Sequence, residues 1–372
     1  MAIESNKYDS FTVTQVAKCM KNILVFGGTG AMGKHLVQLL AELGHSVSVT
    51  TRTARKATAN IEYIQGNAKD DSFVDLILAR KWDAIVDFMM YPTLVFEQRA
   101  PKLLAATDQY IYLSSARVYA DSAEPIQEDS PRLLDSSNDS EFLVTDEYSL
   151  AKARQENMLR QSGRDNWTIV RPYITYSEQR LQLGVLEKEG WLYRALKGRT
   201  IVFSEDIVAK LTTLTYGFDV ADAITKLIGE PRALGETYHI TQREAVTWHE
   251  VLNVYLNVLE KLLGKRPKVL LLGLDDFSRC TRAEYQVKYD RLFKRTFNSS
   301  KIAEYVDVKD FFPLEQGLTR CLEEFLENPQ FLAIDWRSEA IKDRYSGEVA
   351  SLTEPGHLKQ KLKYFIYRFI KS

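Results

Sequence analysis

The chain has 372 residues, 45% of them hydrophobic, enough to bury one large core and a second, smaller one. Lysine and arginine total 49 against 50 acidic residues, so no positive excess exists to hold nucleic-acid phosphates. The three cysteines, Cys19, Cys280 and Cys321, lie far apart and in odd number, against a disulfide framework or a zinc site and in favour of a reducing cytoplasm. Residues 1–20 read as a polar lead-in, with Glu4, Lys7, Asp9 and Lys18 breaking any apolar run, and no later window is long enough to cross a bilayer.

From Asn22 onward, short apolar runs alternate with helical patterns. Asn22–Phe26, Ser46–Thr50, Ile61–Ile64, Ala84–Asp87, Tyr110–Leu113 and Thr168–Val170 read as strands about one helix apart. The first intervening helix carries Leu36, Leu40 and Leu43 on one stripe and ends at Gly44. This alternation predicts an α/β fold, a Rossmann-type doubly wound parallel sheet over residues 21–176. Residues 177–213, charged and aromatic, break the pattern and read as a substrate-lobe insertion; 214–242, with Phe218–Ile228 and Thr237–Ile240, return to the sheet domain. Thr247-Trp248-His249-Glu250 is a capping box opening a helix, and 243–372 read as a smaller, mostly helical C-terminal substrate lobe and tail. The tail mixes Leu, Tyr, Phe and Ile with Lys359, Lys361, Lys363, Arg368 and Lys371; the expectation is a last helix docked on its own protein, the alternative a basic amphipathic end lying on a membrane or a partner.

Gly27-Gly28-Thr29-Gly30-Ala31-Met32-Gly33 follows the first strand and opens the first helix. A pyrophosphate needs backbone N–H groups with no side chain in the way, and a helix N-terminus supplies the donors and a favourable dipole. Gly27 allows the tight turn, Gly30 the close approach and Gly33 the helix–strand contact. After the second strand stands Thr50-Thr51-Arg52-Thr53, with Arg55 and Lys56 behind it. An arginine in place of the usual acidic residue would meet a ribose 2′-phosphate, so NADP is expected, with NAD the alternative.

Tyr148-Ser149-Leu150-Ala151-Lys152 puts Tyr148 and Lys152 one helical turn apart on one face. Hydride transfer at a carbinol carbon requires the oxygen's proton to move as well, and a lysine ammonium near a phenol favours the phenolate that takes it. The pair lies between the fifth and sixth strands, and the fifth ends in Ser114-Ser115-Ala116-Arg117-Val118-Tyr119, with hydroxyls at the carboxyl edge where open α/β sheets bind ligands.

Together with Arg171-Pro172, these motifs make the chain resemble the extended short-chain dehydrogenases, the NAD-dependent epimerase/dehydratase family, over most of residues 22–330. The resemblance implies Ser115 on the substrate oxygen, Tyr148 as acid/base and Lys152 assisting it and holding the nicotinamide ribose. It also implies cofactor contacts from Thr29, Ala31 and Met32, from Asn67 and Ala68, from Phe88 and Met89, and from Pro172. Two departures stand out. The dehydratases' Asp-Glu pair is here Ala116 and Arg117, which argues against dehydration, and the family's Arg-Pro-x-Asn-x-Tyr-Gly reads Arg171-Pro172-Tyr173-Ile174-Thr175-Tyr176-Ser177, losing an amide that helps hold a nucleotide-sugar.

The expected activity is NAD(P)-dependent keto reduction or epimerisation of a nucleotide-activated sugar, reduction being favoured because a NADP pool serves a reductase and not an enzyme that keeps its cofactor. Substrate candidates are Arg117, Arg180, Arg199 and Lys210, with Lys188 and Lys197 beside them. No metal or nucleic acid is expected, and a homodimer stays open. The alternative is a dinucleotide-binding redox sensor or an RNA-associated relative without turnover, neither of which has a use for the Tyr148–Lys152 pair.

Overall fold

The computed structural model describes residues 20–370, so the polar lead-in expected from the sequence lies, except for Met20, outside the described residues. Runs rich in β-branched and aromatic residues form the strands β1 (Asn22–Phe26), β2 (Ser46–Thr51), β3 (Ile61–Gln65), β4 (Trp82–Asp87), β5 (Thr107–Leu113) and β6 (Trp167–Pro172). Helices α1 (Gly33–Glu42), α2 (Asp71–Leu78), α3 (Thr93–Ala105) and α4 (Tyr148–Arg160) lie among them. In the second half come β7 (Ile201–Ser204), α5 (Gly217–Leu227), β8 (Glu236–Ile240), α6 (Trp248–Leu263), β9 (Val269–Leu272), α7 (Leu314–Glu327), α8 (Trp336–Ser346) and α9 (Leu358–Phe365).

Seven strands pair in the order β8-β6-β5-β4-β1-β2-β3, all in parallel, giving the expected Rossmann-type sheet. Parallel strands are covered on both faces, which is why they read as continuous apolar runs. On one face Leu36, Leu40, Val220 and Ile224 pack on Ile23 and Val25; on the other Ile77, Phe96, Leu103 and Leu159 pack on Leu24 and Ile85. The connections leaving β1 and β4 run in opposite directions, and between their carboxyl ends opens the crevice where such sheets place ligands.

Several boundaries differ from the sequence reading for local reasons. Leu43 is exposed, because α1 ends at Glu42 and Gly44, at φ +82°, turns the chain; Val37 takes its place in the core. Strand β5 begins at Thr107, three residues early, because the Gln109 side chain finds buried partners in Thr168 Oγ1 (3.0 Å) and the Leu227 carbonyl (2.9 Å). The capping box forms as expected, Thr247 accepting from the Glu250 amide and Glu250 from the Thr247 amide. A second core gathers around Trp191, Trp248, Tyr255, Leu318 and Phe325, with β7 pairing β9 in parallel beside it.

Candidate active site

The glycine loop is built by close packing. Gly27 sits at φ +71°, and Phe88 and Met89 from the end of β4 lie against it, 3.2 and 3.6 Å from where a Cβ would stand. A Cβ on Gly33 would stand 2.6 Å from Gly28 Cα and 2.7 Å from the Gly27 carbonyl, so only glycine lets α1 start against the loop. In the first turn of α1 the Lys34 amide bonds the Gly30 carbonyl (3.0 Å) and no side chain caps the helix start, an arrangement that suits a diphosphate. Met32 and Ala31 rest on Gly217 at the start of α5. A cleft of about 810 Å³ runs from Gly28 and Thr29 past Lys34 to Arg55 and Tyr63; Arg52, exposed after β2, is not among its lining residues, nor are Ser115, Tyr148 or Lys152. Asn67 and Ala68 form the turn after β3, where the Ala68 carbonyl accepts from Arg99 (2.6 Å).

At the carboxyl end of β5, Ser115 caps a short turn, its Oγ accepting from the Arg117 amide at 3.2 Å. Tyr148 is the first residue of α4, whose cap is Glu147. Lys152 is buried beneath it: its Nζ donates to the Leu113 carbonyl at 2.7 Å and lies 4.6 Å from the Tyr112 ring and 6.0 Å from that of Tyr148. Burial pushes the ammonium down to about 8, against the pull of Asp87 and Glu156. Burial also raises the Asp87 carboxyl, which the hydroxyls of Tyr91 (3.0 Å) and Tyr110 (2.9 Å) hold in place.

That displacement sets a testable sign. Moving a lysine from 10.5 to about 8 costs about 3 kcal/mol at neutral pH, and losing the bond to Leu113 gives back about 1–2. Lys152→Met is therefore expected to raise the melting temperature at pH 7 by a few degrees while lowering turnover and cofactor affinity. Between pH 8 and 10.5 the unfolded parent still holds the proton that the folded one has lost, so the parent gains stability there and the advantage of the variant shrinks. Melting curves at pH 7 and 10 check this; a less stable variant at pH 7 overturns it.

One buried carboxylate orders these parts. Glu156, one turn beyond Lys152, takes Arg171 of β6 in two bonds (2.7 and 2.6 Å), Ser114 (2.6 Å), Arg132 (3.1 Å) and Arg160 (3.2 Å). Burial alone would raise it, but Arg171 prevails and holds it at about 2. Arg117 stands over the Tyr148 ring at 5.2 Å, paired with Glu147 (2.6 Å) and 3.8 Å from Asp290. Arg291 and Arg295 join from the C-terminal part: Arg295 bonds Asp290 (2.9 Å), and burial lowers Arg291 to about 10, with the like charge of Arg117 adding to the effect. Sequence reading missed Glu147, Glu156, Asp290, Arg291 and Arg295; only the spacing of Glu156 four residues after Lys152 offered a signal.

Of the substrate candidates, the structure brings Arg117 to Tyr148. Arg199 is instead buried with Asp343 (3.0 Å) and Glu354 (2.9 Å), its charge already matched inside the C-terminal helices. Arg180 is half-buried and near Glu187 (3.4 Å), and Lys210 lies in the turn whose carbonyl accepts from the Trp248 amide. Pro172 ends β6 beside the crevice, and two residues on Ile174 is buried at φ +32°, a region that asparagine tolerates and a β-branched side chain does not.

A model of the NAD dependent epimerase/dehydratase family matches residues 23–241. The chain is 29% identical over 255 residues to the chloroplast stem-loop binding protein of 41 kDa b of Arabidopsis thaliana, a match covering 62% of this chain and 61% of that one. It is 24% identical over 239 residues to 2'-dehydrokanamycin reductase of Streptomyces kanamyceticus, covering 62% of this chain and 64% of the relative. Both matches span less than two thirds of the relatives' own lengths. The UDP-glucuronic acid 4-epimerase of Bacillus cereus, solved with UDP-glucuronic acid and NAD, has the same fold: TM-score 0.61 at 16% identity, over 82% of this chain and 99% of that one.

Proposed function

Because the chain belongs to the NAD dependent epimerase/dehydratase family, we propose that it is an NAD(P)-dependent enzyme acting at a hydroxyl or ketone carbon of a nucleotide-activated sugar, keto reduction favoured over epimerisation. The observation that carries this reading is the buried Lys152 ammonium beneath Tyr148 at the sheet's carboxyl edge, beside Ser115. The dinucleotide, when bound, supplies or takes up the hydride. Ser115 holds the substrate oxygen, and the Tyr148 phenol gives that oxygen a proton on reduction or removes one on oxidation. Lys152 keeps a positive charge under the phenol and reaches the nicotinamide ribose; Gly27–Gly33 hold the pyrophosphate. Dehydration finds no acid–base pair at Ala116 and Arg117.

Arg117, Arg291 and Arg295 gather around Asp290, with Glu147 on Arg117, and of these cations Arg117 stands over Tyr148, which favours an anionic substrate. The solved Bacillus cereus epimerase supports a UDP-sugar, and the Streptomyces reductase supports reduction. For the cofactor, Arg52 and Arg55 favour NADP, while the NAD in that epimerase favours NAD. The test is a thermal-shift panel of UDP-, GDP-, CDP- and dTDP-sugars with each dinucleotide, in which a ligand a hundredfold above its dissociation constant adds about 2.7 kcal/mol of stability. Arg52→Asp is expected to turn the NADP/NAD affinity ratio at least about tenfold toward NAD. A parent that binds both forms equally removes the phosphate role from Arg52, and a panel without a shift removes the nucleotide-sugar.

The chloroplast relative favours a second reading, RNA binding. Against it stand the net charge of −1 and the half-buried Tyr148 over the buried Lys152, and gel shifts with stem-loop RNA at several salt concentrations decide it.

A further inference from the structure

The last helix carries two apolar faces, and the protein uses one. Tyr364 points inward, donating its hydroxyl hydrogen to Asp343 (2.6 Å) and accepting from the Ala350 amide (2.7 Å), while Arg337 stacks 5.2 Å over Tyr367. Arg344 reaches the carbonyls of Tyr367 and Arg368, capping the π-helical turn Ile366–Ile370 that extends α9. Opposite this seat lie Leu358, Leu362, Phe365 and Phe369, at spacings of four, three and four, each more than half exposed. Lys359, Lys361, Lys363 and Arg368 border the stripe; among the described residues, Lys363 alone of the lysines has an ion pair, with Asp335 at 3.5 Å. No acidic residue occurs from His357 to Ser372, in a chain whose net charge is −1.

We propose that α9 is an interfacial anchor that lays this stripe on a lipid bilayer bearing anionic headgroups. The helix is far too short to span a membrane, but its form suits the boundary: an apolar face about one helix wide enters the acyl region while the basic flanks meet headgroup phosphates. The alternative cover, a second copy packed stripe to stripe, would bring the lysines of both copies together with no acid on either helix to offset them. Charge thus selects the anionic surface.

Flotation of the full chain with vesicles of phosphatidylcholine, alone and with added phosphatidylglycerol, tests this. The chain is expected to float with the anionic vesicles, to be released by about 0.5 M salt, and to stay down with the neutral ones. Leu362→Ser/Phe365→Ser and Lys359→Glu/Lys361→Glu are each expected to weaken binding at least tenfold, with melting temperature and dinucleotide affinity unchanged, since both pairs point away from the fold. A chain that ignores anionic vesicles, variants that float as the parent does, or a parent dimer that Leu362→Ser/Phe365→Ser turns into a monomer in sedimentation velocity each overturns the proposal.

Discussion

Tyr148→Phe is expected to lower turnover by about 10²–10⁴-fold while dinucleotide affinity stays within about twofold. The substitution removes one oxygen from a ring held between Arg117 at 5.2 Å and the Lys152 ammonium at 6.0 Å, and leaves both cations in place. What is lost is the route for the substrate oxygen's proton, which must move as the hydride moves. What remains is the close-packed glycine loop at Gly27–Gly33, which is expected to hold the diphosphate without help from the phenol. Fluorescence titration with the dinucleotide, beside single-turnover rates with the sugar found in the ligand panel, separates the two. Residual turnover within tenfold of the parent would take the acid/base role from Tyr148.

Glu156→Gln is expected to cost about 3–5 kcal/mol of stability, because it leaves the buried Arg171 guanidinium without its counter-charge. In a chain of 372 residues that is a fall of roughly 4–6 °C in melting temperature. The pH dependence has a definite sign. A carboxylate held at about 2 in the folded state against an ordinary 4.5 contributes stability that is complete above about 4.5 and lost as pH falls toward 2. The gap between parent and variant is therefore widest at neutral pH and narrows below pH 4.5. Differential scanning calorimetry at pH 7 and pH 3.5 measures it, and a gap under about 1 kcal/mol at pH 7 would show that Arg171 finds another partner. Loss of the clamp also loosens α4 on β6, so turnover falls further than the folded fraction.

The sheet and the glycine loop were legible because both are local. A parallel strand is an apolar run, and a glycine that must touch a neighbouring backbone, as Gly33 touches Gly28, stands in a fixed place after its strand. The strand start at Thr107 was not legible, since pairing with β4, and not hydrophobicity, carries the polar Thr107 and Gln109 into the sheet. The site was half legible. Ser115, Tyr148 and Lys152 come as motifs, but Asp290, Arg291 and Arg295 reach Arg117 and Tyr173 from more than a hundred residues away with no pattern of their own. Arg199 shows the opposite failure: a basic residue in a charged stretch looked available, and only the fold reveals Asp343 and Glu354 waiting for it.

That same buried cluster fixes an order of events during synthesis. Arg194 is bonded to Glu339 and Asp343, which follow it by 145 and 149 residues, so this ion-pair cluster cannot close until α8 has left the ribosome. At about 5–20 residues per second the interval is roughly 7–30 s. The Rossmann sheet from β1 to β8 can be assembled well before then, whereas Arg194 and Arg199 wait without their acidic partners. Nascent chains should therefore need chaperone shelter in that window, and destabilising changes in α8 should show as lost soluble yield before they show as lost activity.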